Sequence, residues 1–500
     1  MTDRSEHPRA PRARSPRGSG SPTVPGAPAP HARAPLGPNA RGLGPSTPGA
    51  RARRYWCEWA WLGGEAPEAG VLLTVEDGRL TSVVTGADPG GAERLPGLTL
   101  PGLANAHSHA FHRALRGRTH TDGGSFWTWR EVMYRAAERL DPDSYHRLAR
   151  AAYAEMALAG VACVGEFHYL HHGPGGRPYD DPNAMGEALM AAAAEAGVRI
   201  TLLDVCYLSG GMAEDGTHRP LAGPQLRFGD GSAEAWAARV GAFTPRGAHA
   251  RVGAAAHSVR AVPAADLPTV VRLADTGGLP LHVHVSEQPA ENAACLAAYG
   301  TTPVRVLADA GALTERTTLV HATHLTDADV DTVRGSGCAV CLCPTTERDL
   351  ADGLPRTGDL TDGPHRVPLS LGTDQHAQLD LFEEARAVEL HERLRTHRRG
   401  TLGSAELLRA ATSDGHAGLG WHDAGTLTPG ARADLVTVSL DGVRLSGADP
   451  ERATDAVVFA ASAADVRHVM VDGAWTVRDG AHLSLPDTAR ELDAAIKELL

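Results

Sequence analysis

The chain has 500 residues, 42% of them hydrophobic, enough for one barrel-sized domain and a smaller companion. Its formal charge is −12, but residues 1–54 hold ten arginines against Asp3 and Glu6, so the remainder stands near −20, which excludes a nucleic-acid binder. No apolar run approaches the roughly 18 residues a membrane helix needs, and Lys497 is the only lysine, which removes Schiff-base chemistry, a P-loop lysine and a carboxylated lysine bridging two metals.

Residues 1–52 are rich in Pro, Arg, Gly, Ala and Ser and are expected to be a disordered tail. Over 53–99, Gly70-Val-Leu-Leu-Thr-Val-Glu and Arg79-Leu-Thr-Ser-Val-Val flank Asp77-Gly78 and predict a hairpin. The same texture returns over 425–485, in Ala433-Asp-Leu-Val-Thr-Val-Ser and His468-Val-Met-Val-Asp-Gly-Ala-Trp-Thr-Val. Both ends of the chain are therefore expected to build one small β-sandwich, followed by a helix over 486–500. The seven cysteines lie in apolar segments with no secretory signal ahead of them, which predicts reduced thiols in a cytoplasmic protein. Cys338-Ala-Val-Cys-Leu-Cys343 reads as a buried strand and not as a zinc knuckle.

Between 100 and 424, apolar β runs alternate with helical segments. Eight runs can be counted: Leu98 to His109, Cys163 to Tyr169, Ile200 to Leu208, Arg251 to Ser258, Leu279 to Glu287, Thr317 to Thr323, Cys338 to Pro344 and Val367 to Asp374. Asp141-Pro-Asp opens a helical stretch that stops at Gly160. Eight βα units predict an α/β fold, a (β/α)8 TIM-like barrel whose active site lies where the strands end.

Those ends are unusually polar. They read His107-Ser-His109, Glu166-Phe-His-Tyr169, His257-Ser-Val-Arg260, His282-Val-His284-Val-Ser-Glu287, His321-Ala-Thr-His324 and Thr373-Asp374-Gln-His376. Polar groups buried there need partners, so this many on one rim imply a shared task. On a strand His107 and His109 share a face. Two imidazoles from run one, one from run five and a carboxylate from run eight would suit one divalent ion, zinc first, with iron or manganese also fitting. Run five offers both His282 and His284.

The His-x-His, the His-x-x-Glu, the His of run six and the Asp of run eight resemble the amidohydrolase superfamily of metal-dependent hydrolases and deaminases. Longer strings are similar to the formimidoylglutamate deiminases of histidine degradation: Asn105-Ala-His-Ser-His-Ala-Phe, Ser125-Phe-Trp-Thr-Trp-Arg-Glu-Val-Met-Tyr-Arg, Glu166-Phe-His-Tyr-Leu-His-His172, His257-Ser-Val-Arg-Ala-Val and Leu342-Cys-Pro-Thr-Thr-Glu. The resemblance implies that His107, His109, His284 and Asp374 hold zinc. It makes Glu287 and His321, with Asp374, the proton-handling groups, and sets Arg130, Tyr169, His257, Arg260 and His112 against the substrate. It further implies a dianionic small-molecule substrate and a homodimer. Three positions depart from the family pattern: His112 stands where Gln is usual, Ala256 where Pro is usual, and Arg348-Asp349 follow Thr-Thr-Glu347. Deaminases of cyclic amidines and metal-binding relatives without activity are the rival readings.

Overall fold

The computed structural model describes residues 52–119 and 126–500. The expected disordered tail, apart from Ala52, and Ser125 of the second motif string lie outside the described residues.

Eight strands form one parallel sheet in chain order: β1 (Leu103–Ser108), β2 (Val161–His168), β3 (Arg199–Cys206), β4 (Ala250–Ala256), β5 (Leu281–Val285), β6 (Thr317–His321), β7 (Ala339–Leu342) and β8 (Leu369–Leu371). The residues just past β8 return to β1. The amides of Thr373 and Asp374 donate to the His107 carbonyl at 3.1 and 3.0 Å, and the His109 amide donates to the Asp374 carbonyl at 3.1 Å. That closes the barrel. The strands are almost wholly buried, as parallel strands covered by helices must be, which is why they read as apolar runs rather than as alternating ones.

The helices between strands start and stop where the local chemistry allows. Asp141 accepts from the Ser144 amide in a capping box, Pro142 occupies the first turn, and the helix Pro142–Leu158 ends ahead of Gly160, whose φ is +95°. Gly197, Gly278, Gly300 and Gly337 close four later helices in the left-handed conformation.

A second eight-stranded sheet draws on both ends of the chain. Its order is Ala481–His482, Ala474–Arg478, Val466–Val471, Leu435–Val438, Glu93–Pro101, Arg53–Ala60, Glu68–Glu76 and Arg79–Val84. Asp77 and Gly78, with φ of 48° and 78°, make the expected hairpin turn. Tyr55, Cys57, Leu73, Leu435 and Met470 pack into this sheet's own core.

One expected element divides. The run Leu98 to His109 is two strands, because Leu98–Pro101 completes the second sheet and the barrel begins at Leu103. Gly102 is the handover. Its amide donates to the Asp434 carbonyl at 2.9 Å, and a Cβ there would lie 2.6 Å from that of Ala162. Both strands are apolar, and the one mark of the boundary in the sequence is the Pro101-Gly102 pair inside the run.

Candidate active site

At the rim, His107, His109 and His284 bring their ring nitrogens together within 4.8 Å. His109 Nδ1 donates to the Phe167 carbonyl (3.0 Å) and His284 Nδ1 to the His257 carbonyl (2.9 Å), so both Nε2 atoms turn lone pairs to the centre. There His284 Nε2 lies 3.0 Å from His107 Nε2, and His109 Nε2 lies 3.2 Å from Asp374 Oδ1. Burial pushes the His107 imidazole down to about 3, and burial with the neighbouring His107 holds His284 well below its ordinary value. Burial alone would raise Asp374, but the bonds to His107 and His109 keep it well below the usual carboxylate range. Lone pairs and a carboxylate crowded this closely repel unless a cation lies among them. The three nitrogens and one carboxylate therefore fit a divalent ion. His282 turns away and bonds the Gly418 carbonyl at 2.9 Å.

Glu287 and His321 stand beside this cluster. His321 Nε2 is 4.0 Å from Glu287 Oε1 and 3.7 Å from Asp374 Oδ2, and its Nδ1 lies 3.4 Å from Glu347 Oε1. Burial opposes charge on His321, yet the bond to Glu347 and the carboxylates of Glu287 and Asp374 raise it to about 10. Arg260 fixes the other face of Glu287 with an ion pair of 2.8 Å and also reaches Glu291 at 3.5 Å. His321, Ala322, Asp374, His376 and Ser286 all have positive φ, which costs about 1–3 kcal/mol each and is kept where the surroundings enforce it.

A polar network braces the histidine pair from behind. The buried Glu166 carboxylate accepts from Ser108 Oγ (2.8 Å) and the Ala110 amide (2.7 Å), on either side of His109. Burial lifts Glu166 to about 7 against those two bonds. Across the barrel seam, Asn105 Nδ2 donates to Thr373 Oγ1 (2.7 Å) and the Thr373 amide donates to Asn105 Oδ1 (3.0 Å).

Above the cluster lies a cavity lined by every other residue the sequence placed against substrate: His112, Arg130, Tyr169, His257 and Arg260. His112 Nε2 and the Tyr169 hydroxyl pair at 2.8 Å. Donor atoms of His112, His109 and Asp374 also lie within 4.8 Å of one another. Arg130 Nε donates to the Tyr134 hydroxyl at 2.5 Å and its Nη2 to the Gly210 carbonyl at 3.2 Å. Of the departures, Asp349 accepts from Gln375 beside Asp374 at 2.7 Å, Arg348 pairs outward with Glu383, and Ala256 ends β4.

Sequence reasoning gave no role to Trp129, Tyr134, Tyr207, Arg219, Phe228 and Gln375 in the wall, nor to Cys343, whose Sγ lies within 4.8 Å of donor atoms of His321 and Asp374. Tyr207 and Cys343 directly follow β3 and β7, the two strands whose ends were assigned no site residue, so strand-end position was the available signal.

A protein-family model described as the amidohydrolase family matches residues 98–476. A formimidoylglutamate deiminase of Pseudomonas aeruginosa is 38% identical over 438 residues, covering 85% of this chain and 94% of that one. Among solved structures, an amidohydrolase from Brucella melitensis has a TM-score of 0.80 at 31% identity, covering 89% of this chain and 99% of its own. An adenosine deaminase from Xanthomonas campestris with bound zinc has a TM-score of 0.74 at 23% identity, covering 89% and 97%, and shares the fold. With the fold, the matched span and the relatives in agreement, the chain belongs to the amidohydrolase family and is a hydrolase acting on carbon–nitrogen bonds.

Proposed function

We propose that the chain hydrolyses N-formimidoyl-L-glutamate to N-formyl-L-glutamate and ammonia with one zinc ion per subunit, a step of histidine degradation in the cytoplasm. The observation that carries this reading is one cavity with a donor cluster for a divalent ion on its floor and arginines in its wall. A dianionic substrate entering a strongly acidic protein needs such arginines, whose planar forks match carboxylates. The Pseudomonas relative supports the substrate, and seven buried free cysteines suit a reducing compartment.

His107, His109, His284 and Asp374 would hold the divalent ion, which when bound would acidify water toward a pKa of about 7. Glu287 takes a proton from the attacking water and returns it to the amidine nitrogen, its second oxygen kept in place by Arg260 at 2.8 Å. His321, held by Glu347, donates from Nε2 to the oxygen as the carbon becomes tetrahedral. Asp374 accepts the hydroxyl proton as the C–N bond breaks and passes it to the departing nitrogen, which leaves as ammonium. The balance is a formimidoyl cation plus water giving a formamide plus ammonium.

The aromatic side chains of Trp129, Tyr134, Tyr169, Tyr207 and Phe228 favour a second reading, a flat purine-like amidine stacked in the same cavity. Ammonia release by zinc-loaded protein separates the two. Release from N-formimidoyl-L-glutamate, with adenosine and 8-oxoguanine inert, is the expected result. Release from a purine alone overturns the proposal.

A further inference from the structure

The helix Phe126–Arg139 forms one wall of the cavity, with Trp129, Arg130, Met133 and Tyr134 placed along a single helical face. It is inserted between β1 and the helix Pro142–Leu158, so no strand of the barrel fixes its position directly.

Its C-terminal end meets a buried cation. Arg227 donates from Nη1 to the Ala137 carbonyl, from Nη2 to the Leu140 carbonyl at 2.6 Å and from Nε to the His172 carbonyl at 2.8 Å. The Tyr179 hydroxyl lies 3.4 Å from Nη2. The carbonyls at a helix end have no partner within the helix, and a positive charge suits the negative end of the helix dipole. Among the described residues Arg227 pairs with no carboxylate, and burial pulls its guanidinium below its ordinary value. A dry charge without a counterion is costly, and here only the groups it holds offset that cost.

The grip runs in both directions. The His171 and His172 amides donate to the Arg227 carbonyl at 3.1 and 3.0 Å, so backbone and side chain together clasp the segment that follows β2 and carries Tyr169. His172 is fixed in turn. Its Nε2 meets Asp230 at 3.0 Å, and Arg239 pairs with Asp230 at 2.9 Å and with Asp204 of β3 at 2.8 Å. Phe228, next in the chain, lines the cavity and packs edge-on against Tyr169 with ring centroids 5.0 Å apart. Through Arg227 the helical wall is therefore tied to the barrel.

We infer that Arg227 is a positioning residue: it lies outside the cavity lining, and by fastening the end of the helix Phe126–Arg139 to the segment after β2 it sets Arg130 over the donor cluster. The part this gives Arg130 in binding rests on the proposed formimidoylglutamate reading.

A double-mutant cycle on N-formimidoyl-L-glutamate tests it, with wild type, Arg227→Gln, Arg130→Gln and the double variant, each checked for zinc content. Arg227→Gln is expected to raise KM roughly 10-fold with kcat within about threefold and zinc content unchanged. Arg227→Lys recovers part of the loss. Because Arg227 acts through Arg130, the double variant should fall no more than about twofold below Arg130→Gln alone in kcat/KM, whereas a merely structural defect would multiply the two losses. An unchanged KM or fully multiplied losses overturn the inference and leave the proposed activity standing. If Arg227→Gln fails to fold, Arg227→Lys takes its place in the cycle. Hydrogen exchange tests the anchor without substrate: peptides within residues 129–140 should exchange about 10-fold faster in the Arg227 variant, with the barrel strands unchanged. Equal exchange overturns the inference. If wild type releases no ammonia from the substrate, the activity reading fails and the exchange result alone decides for Arg227.

Discussion

Glu287 is an acid with two faces, one oxygen tied to Arg260 and the other open to His321 and the donor cluster. Because Glu287 lies outside the donor set, Glu287→Gln should lower kcat by about 10²- to 10⁴-fold while metal content by elemental analysis stays at the wild-type level. His321 gives a second, pH-dependent expectation. Its folded value of about 10 lies above the ordinary 6.5, so in metal-free protein its protonation stabilises the fold fully below pH 6.5 and that contribution is lost as pH rises towards 10. Glu347 is the first partner that raises it. Thermal unfolding of metal-free wild type between pH 7 and 10 should therefore show a fall in Tm that Glu347→Gln reduces. Equal slopes would remove Glu347 as the cause. At this scale the residues legible in the sequence were those ending apolar runs, such as His107 and Asp374. Arg219 and Tyr134 were not, because a loop and a helix bring them to the wall through contacts remote in sequence.

Among elements, the seam between β1 and β8 matters most, since it sets the His107–His109 pair against Asp374. Gly372 sits in that seam. A Cβ there would fall 2.6 Å from His107 Cβ and 2.9 Å from the His107 carbonyl and Cys343 Sγ. Gly372→Ala must displace His107, so zinc affinity measured by competition with a chelating dye should fall by about 10-fold or more, with the folded spectrum retained. An unchanged affinity would show that the seam yields without moving the ligand atoms. The barrel's eight strands could be counted from sequence because each is a short apolar run and six of them are followed by a polar end. The divided first run reads as one because the strand ending at Pro101 and the one starting at Leu103 are equally apolar, although Pro101-Gly102 marks the break between them.

For the whole molecule, the donor cluster ties β1, β5 and the segment after β8 together, so an ion bound there stabilises the native state by mass action. Removing it with a chelator should abolish activity and lower Tm. Restoring zinc at about 100 times its Kd should return roughly 2.7 kcal/mol. A Tm indifferent to chelator would argue against a bound ion in the native state. The second sheet carries a different consequence. The strand Glu93–Pro101 pairs on one side with Arg53–Ala60 and on the other with Leu435–Val438, about 330 residues later in the chain. At synthesis rates of about 5–20 residues per second, that second edge stays open on the ribosome for roughly 15 to 70 s. During that interval the nascent chain presents an unsatisfied β edge, so chaperone supply and the pace of translation should govern the yield of native protein.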